Sequence, residues 1–186
     1  MEKSKVILGI DPGTNILGYG IIRVDAKGRP HYVDMGVFDL RKIKDPYEKL
    51  VNIFTGVGEL LEEHHPDALA VEAPFYGKNV QVVLKLGRAQ GAAITAAVMR
   101  GIQVAEYAPS KAKIAICGNG AASKEQVAMM IGRSLNVELD PKYLDATDAL
   151  AIALCHHYQT SNPLAAVGGS SDWKKFIEAN PDRIKK

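Results

Sequence analysis

The segment VILGIDPGT at residues 6–14 constrains the fold more than any other stretch of the chain. Its short apolar run is typical of a buried strand, and Pro12-Gly13 ends that strand and turns the chain. Asp11 therefore lies at the end of a predicted strand. Because ligands usually bind at the ends of the strands in an α/β sheet, we expect Asp11 to lie at the functional edge of this sheet.

A second apolar run ends in the same way. Residues 67–74, DALAVEAP, predict another short strand that closes with Glu72, two residues before Pro74. If the two strands are parallel neighbours, Asp11 and Glu72 emerge at the same edge of the sheet. We expect other carboxylates to gather there as well.

The last strong helix, predicted over residues 140–158, supplies two more acids. Asp145 and Asp148 are three residues apart, so they lie on one helix face, and Ile152 and Cys155 continue that face toward the core. The helix macrodipole also favours an acid in a first turn, which is an alternative explanation for Asp145. That explanation weakens for Asp148, one turn further in.

Carboxylates that gather out of water need compensation. They repel one another and lose hydration, and a divalent cation removes both costs. A donor set of oxygens alone suits Mg²⁺, with Mn²⁺ as a substitute, and two ions about 4 Å apart are well suited to phosphodiester hydrolysis. The sequence therefore predicts two ions per site, held by Asp11, Glu72, Asp145 and Asp148.

The order of the remaining elements predicts an α/β fold with a five-stranded mixed sheet flanked by helices. Runs 17–25 and 31–40 form an antiparallel meander with the first strand, because a turn-rich segment joins them. Strands at 67–73 and 103–107 are separated by helices, which favours parallel pairing. Two helix starts carry capping signals, Asp45-Pro46 and the pair Ser123 and Gln126.

Length and composition predict one globular domain followed by a tail. Of the 186 residues 47% are apolar and 24% charged, which is typical of a folded domain rather than a disordered chain. We assign residues 1–160 to this domain. Residues 161–186, rich in Gly, Ser and Pro at their start, are predicted to be a linker and a C-terminal tail of unknown role.

The expected compartment is the cytoplasm. No apolar segment is long enough for a signal peptide or a membrane span, so we expect a soluble protein without a membrane partner. Cys117 and Cys155 form no C-x-x-C pair, and their apolar surroundings predict small buried side chains rather than a disulfide or a zinc site. The adjacent His156 and His157 diverge by about 100° on a helix, which argues against a shared ion.

Charge along the chain is unevenly distributed. Residues 78–124 carry seven basic side chains and one acid, Glu106, although the whole chain has a net charge of only +2. Such a stretch favours a polyanion as partner, because neutralised phosphates release counterions. Solvated helix faces are the alternative interpretation.

Four motifs resemble the RuvC family of bacterial Holliday junction resolvases, in order and at similar spacing. They are GIDPGT at residues 9–14, VEAPF at 71–75, LKLGRAQG at 84–91 and DATDALA at 145–151. The resemblance implies a ribonuclease H-like nuclease domain, a homodimer, and Mg²⁺-dependent paired nicks in four-way junction DNA that leave 5′-phosphate and 3′-hydroxyl ends. It also implies catalytic roles for Asp11, Glu72, Asp145 and Asp148, and a branch-migration complex of the RuvA and RuvB type as partner.

The same resemblance implies DNA contacts. Phe75 matches an aromatic residue that stacks on bases, and Lys113 and Lys124 match basic residues that hold phosphates. The basic stretch adds the candidates Lys78, Lys85 and Arg88. Taken alone, Phe75 is equally suited to cover the end of the core, and each lysine is an ordinary surface residue.

Three other functions compete. Asp-x-Gly-Thr after a first strand also resembles the phosphate loop of actin-like and Hsp70-like nucleotide-binding proteins, but these need two such domains and this chain is long enough for one. A second rival is another ribonuclease H-like nuclease that acts on RNA or hybrids. A third is a junction-binding protein without catalysis. The Phe75 loop and the small residues of helix 79–100, which suit dimerisation, favour the junction nuclease over the second rival. The intact set of four acids argues against the third.

Overall fold

A computed structural model describes residues 4–74, 79–139 and 144–161, and these residues form a five-stranded sheet between two layers of helices. The strands are β1 Lys5–Asp11, β2 Ile16–Val24, β3 Pro30–Asp39, β4 Ala68–Glu72 and β5 Gln103–Tyr107. The helices are α1 Pro46–His64, α2 Val80–Val98, α3 Pro109–Cys117, α4 Lys124–Leu135 and α5 Leu144–Thr160.

The strand order is β3-β2-β1-β4-β5, which confirms the predicted mixed sheet. The pairs β1–β2 and β2–β3 are antiparallel, whereas β1–β4 and β4–β5 are parallel. Ile10 pairs with Val71 in the parallel register of β1 and β4. Asp11 and Glu72, the residues that follow this pair, therefore leave the sheet at the same edge.

Each face of the sheet has its own apolar core. On one face α1 and α2 contribute Ile53, Val57, Ala93 and Ala96 to a cluster with alternate strand residues. On the other face α3, α4 and α5 form a second cluster, whose members from α3 and α4 are Ala112, Ile116, Val127, Ile131 and Leu135. The sheet edge that carries the acids lies between these two helical layers.

The helix α5 approaches the sheet very closely because glycines of β1 and β2 lie beneath it. A Cβ atom added at Gly9 would lie 2.1 Å from the backbone oxygen of Ala149, and one added at Gly18 would lie 2.1 Å from that of Asp145. A Cβ atom added at Gly20 would lie 2.7 Å from the side chain of Leu150, which is also in α5. The glycines thus let the helix that carries two of the acids pack directly on the strands that end at the site.

The predicted capping signals are confirmed. The Asp45 carboxylate accepts hydrogen bonds from the backbone N–H groups of Tyr47 and Glu48. Ser123 and Gln126 form the complete capping box at the start of α4. The predicted start of the last helix, near residue 140, lies outside the described residues.

The cysteines differ from each other in burial. Cys155 is fully buried in α5, as predicted, whereas Cys117 is only partly buried because it is the last residue of α3, beside the left-handed Gly118. Both thiols are free. Among the described residues, no helix combines the length and the apolar character needed to cross a membrane. The predicted tail from residue 162 onward lies outside the described residues.

Candidate active site

Asp11 is the central acid of the site. The side chain extends from the end of β1 into partly buried surroundings beside the other acids. Burial is the largest cause, and together with the negative charges of Glu72 and Asp148 it raises the pKa of Asp11 from 3.8 to about 8. A carboxyl group held in this state binds a proton at neutral pH unless a cation takes the proton's place.

Glu72 lies at the end of the neighbouring strand β4. Burial, followed by the charge of Asp148, raises the pKa of Glu72 from 4.5 to about 7, while the positive charges of Lys124 and Lys113 oppose the rise. Two strand-end acids with raised pKa values at one sheet edge are typical of a functional site rather than of a structural ion pair.

Asp145 and Asp148 come from the first turns of α5 and complete the cluster. Ligand oxygens of Asp11, Asp145 and Asp148 all lie within 4.8 Å of one another. Glu72 is not a member of this tight trio, but its charge acts on Asp11 and is itself affected by Asp148. We call these four residues the carboxylate cluster. The structure thus brings together the four acids that the sequence singled out.

The donor chemistry of the carboxylate cluster fits a divalent cation. All donors are carboxylate oxygens, the ligands that hard cations such as Mg²⁺ and Mn²⁺ prefer. The cluster already attracts a positive charge from the protein, since the Lys124 ammonium lies 2.5 Å from Asp148 Oδ2 and 4.0 Å from Asp145 Oδ1. Partial burial lowers the pKa of Lys124, but the hydrogen bond and charge of Asp148 outweigh burial and raise it.

The other predicted DNA-binding residues lie on both sides of the cluster. Lys113 on α3 is near enough to oppose the pKa rise of Glu72, whereas Lys124 contacts the acids directly. Lys85 and Arg88 are exposed on α2, in the opposite helical layer, and line a cavity that also includes Thr14 of the loop after β1. Phe75 and Lys78 lie outside the described residues.

Gln90 belongs to the site, although it is not among the residues that the sequence predicted. This residue is 7% exposed in α2, and its Nε2 donates to the backbone oxygen of Glu72 at 3.3 Å and to Glu106 Oε2 at 2.7 Å. Gln90 therefore ties α2 to the strand end that carries Glu72. Gln90 lies within the LKLGRAQG motif at residues 84–91, but the motif does not show that its side chain reaches Glu72, 18 residues away in the chain. Only packing reveals this contact.

The contact between Lys124 and Asp148 was also missed. The resemblance assigned Lys124 to DNA alone, but its side chain enters the carboxylate cluster. By contrast, His156 and His157 use different partners: His156 Nδ1 lies 2.9 Å from the Tyr107 hydroxyl, and His157 Nδ1 lies 3.0 Å from Ser161 Oγ.

Comparison with known proteins identifies the family. The sequence model of one family, described as crossover junction endodeoxyribonuclease RuvC, matches residues 7–156. The chain belongs to the RuvC family. The resemblance stated from the four motifs is therefore confirmed, and the match includes all four acids of the carboxylate cluster.

Curated RuvC proteins are similar over nearly the whole chain. The crossover junction endodeoxyribonuclease RuvC of Bacteroides fragilis is 54% identical over 98% of this chain and 97% of its own length. The RuvC of Porphyromonas gingivalis is 49% identical over 98% of both chains. A shared domain alone would leave much of one chain uncovered, so the similarity concerns the proteins as wholes.

Solved RuvC structures share the fold. The structure described as T. thermophilus RuvC in complex with Holliday junction substrate is 34% identical, covers 84% of this chain and 94% of the other, and has a TM-score of 0.78. A yeast mitochondrial Holliday junction resolvase, Ydc2, has a TM-score of 0.60 at 12% identity, which shows the fold alone. The ribonuclease H-like architecture predicted from the sequence is confirmed.

Proposed function

We propose that this RuvC-family protein is a structure-specific endonuclease that resolves four-way Holliday junctions by paired symmetric nicks, in homologous recombination and DNA repair. The observation that carries the proposal is the carboxylate cluster, in which Asp11, Asp145 and Asp148 place ligand oxygens within 4.8 Å of one another at the end of β1. A four-way junction is the proposed substrate because the similar T. thermophilus RuvC structure is a complex with a Holliday junction substrate.

Asp11, Glu72, Asp145 and Asp148 are the proposed catalytic and metal-binding residues, and Mg²⁺, with Mn²⁺ as a substitute, is the proposed cofactor at two ions per site. These four acids would hold the ions, which would lower the pKa of an attacking water and stabilise the leaving 3′ oxygen, so that the products would carry 5′-phosphate and 3′-hydroxyl ends. The protein holds the acids at fixed positions on two strand ends and one helix. Asp11 and Glu72 must lose their protons to bind a cation, so their raised pKa values couple metal binding to proton release.

Proposed DNA contacts surround the cluster. Lys113 and Lys124 add positive charge on the α3 and α4 side of the acids. Lys85 and Arg88 extend the positive surface onto α2. Phe75 belongs to the proposal on the resemblance alone, and Lys78 on its place in the basic stretch alone. Phosphate contacts of this kind position the DNA strand without reading its sequence.

A homodimer is the proposed assembly, since a four-way junction presents two symmetric strands for cutting. On α2, Val80 and Leu84 are 66% and 52% exposed, and nothing lies within 4 Å of a Cβ atom added at Gly87 or Gly91. This face is open for a second copy of the helix. The branch-migration complex of the RuvA and RuvB type and the cytoplasmic location are part of the same proposal.

A competition assay tests the proposal. The purified protein is given labelled four-way junction, flap, duplex and RNA–DNA hybrid together in Mg²⁺, and we expect cutting of the junction at symmetric positions. Preferential cutting of the hybrid would support the rival nuclease and contradict the proposal. Asp148→Asn should abolish cutting while junction binding, measured by gel shift, is nearly unchanged, because it removes a cation ligand without removing a phosphate contact.

A further inference from the structure

We propose that a basic cavity between α1 and α2 binds a backbone phosphate of the DNA strand that is cut, an inference that rests on the proposed function. The cavity has a volume of about 470 Å³. Its cationic lining residues are Lys44, Lys49, Lys85 and Arg88. The resemblance assigns no role to Lys44 or Lys49, and the cavity lies outside the carboxylate cluster.

The charge of the cavity is not neutralised by the protein. Among the described residues, no acidic side chain lines it, and Lys44, Lys85 and Arg88 are exposed and form no ion pair. Lys49 is half-buried, and its Nζ donates to the backbone oxygen of Thr14 at 2.8 Å and to Asn15 Oδ1 at 3.0 Å. Cations concentrated in a concave site with apolar walls attract an anion strongly.

The cavity lies close to the acids, which indicates that the anion it binds is a DNA phosphate near the cut. Thr14 and Asn15 line the cavity, and Thr14 follows Asp11 by three residues. Three residues span at most about 11 Å, so the cavity edge lies within this distance of the strand end that carries Asp11. Because B-DNA rises about 3.4 Å per nucleotide, a phosphate bound at the Thr14 edge of the cavity belongs to a nucleotide within about three positions of the cut.

The cavity also complements the lysines already considered. Lys113 and Lys124 lie on α3 and α4, which pack on one face of the sheet, whereas α1 and α2 cover the other face. A strand that crosses the sheet edge at the carboxylate cluster therefore meets positive charge before and after the cut. This arrangement favours a DNA strand over an acidic protein segment, because the strand must already occupy the intervening site.

Tyr47 gives the cavity a second feature of a nucleic-acid site. Its side chain lines the cavity and the residue is 69% exposed. An aromatic ring beside a row of cations offers a surface on which a base or a sugar can stack, and such stacking is sequence-tolerant.

The first test is the salt dependence of junction binding. In Lys44→Ala with Lys85→Ala, we expect the slope of log affinity against log salt to fall in magnitude by about 0.9, the contribution of one lost phosphate contact. The control, Lys5→Ala with Lys27→Ala, removes the same charge at the opposite edge of the sheet, where both residues line a different cavity. An unchanged slope, or an equal fall in the control, would overturn the inference.

The second test locates the phosphate. A methylphosphonate, which removes one phosphate charge, is placed singly at positions within three nucleotides of the cut. At one position it should weaken parent binding severalfold and leave the affinity of the lysine variant almost unchanged, because the partner charges are already missing. Equal weakening of both proteins at every position would refute the contact.

The outcomes separate this inference from the proposed function. If the parent does not cut four-way junctions, the proposed function fails. If the parent cuts but the lysine variant keeps both its salt slope and its methylphosphonate response, only the cavity inference fails. If the variant instead loses its dimeric state in sedimentation at unchanged salt slope, the cavity receives an acidic segment of a second copy, and the DNA assignment is wrong.

Discussion

At the scale of single residues, the site depends on acids that the fold holds in an unfavourable state. Asp11 and Glu72 are more basic than usual because burial and neighbouring carboxylates disfavour their charged forms. Binding of the proposed cations would neutralise the cluster and recover the free energy lost in this way. Lys124 supplies part of that neutralisation from within the protein, through its contact with Asp148.

The raised pKa values predict a pH dependence of stability without metal. The pKa of Asp11 is about 8 rather than 3.8 and that of Glu72 about 7 rather than 4.5, so the folded protein holds protons that the unfolded chain has released. The free energy of unfolding should therefore fall as pH rises from about 4 to about 8. Urea unfolding in a chelator at several pH values measures this fall.

The matched variant is Asp11→Asn, which cannot ionise. Its unfolding free energy should depend less on pH and should exceed that of the parent at pH 8 by more than about 1 kcal/mol, the equivalent of less than one pKa unit. A variant with the same pH dependence as the parent would show that Asp11 does not have the raised pKa.

Gln90 is predicted to position Glu72. Gln90→Leu leaves the carboxylate of Glu106 and the backbone oxygen of Glu72 without their buried donor, so we expect a loss of about 1–3 kcal/mol in unfolding free energy. The Mg²⁺ concentration needed for half-maximal cutting should rise as well. The control is Gln81→Leu, on an exposed part of the same helix, which should change stability by less than about 0.5 kcal/mol.

At the scale of elements, the site forms because α5 packs very closely on the sheet. The acids Asp145 and Asp148 reach Asp11 because glycines of β1 and β2 leave room for the helix backbone. The glycines of β2 lie among ordinary strand residues, so periodicity alone marks them only as weak strand formers. Their role becomes evident only when the helix is seen above them.

Gly18→Ala should displace α5. The added methyl group would lie 2.1 Å from the Asp145 backbone oxygen, and backbone cannot move aside as a side chain does. We expect a loss of about 1–3 kcal/mol in stability, together with reduced cutting. Gly120→Ala is the control for stability, because the nearest atom to the new methyl group, on the Ile114 side chain, lies 3.4 Å away, an ordinary contact distance. It should change stability by less than about 1 kcal/mol. Equal effects of the two substitutions would contradict the packing argument.

At the scale of the whole molecule, one sheet edge organises the function. Acids from β1, β4 and α5 meet there, and basic residues from both helical layers flank them. The exposed face of α2 adjoins the same region through Lys85 and Arg88. Dimerisation through α2 would therefore place two such edges in one particle, as paired cutting requires.

Leu84→Glu tests this assembly. A charge on the exposed face of α2, where Leu84 is 52% exposed, should convert the proposed dimer to monomer in sedimentation and replace paired nicks by single nicks. Met129→Glu is the control, because Met129 is similarly exposed, at 51%, on α4 in the other layer. A dimer that survives Leu84→Glu would assign the interface to another face.

The sequence alone predicted the order of the strands, the capped starts of α1 and α4, the family and the four acids of the cluster. These features are local, because strand ends, caps and motifs depend on residues that are adjacent in the sequence or at helical spacing. The tertiary structure alone decided the contact of Lys124 with Asp148, the bond from Gln90 to Glu72 and the cavity of Lys44 and Lys49. Such contacts join residues far apart in the chain, and their geometry depends on how helices pack on the sheet, which no short pattern encodes.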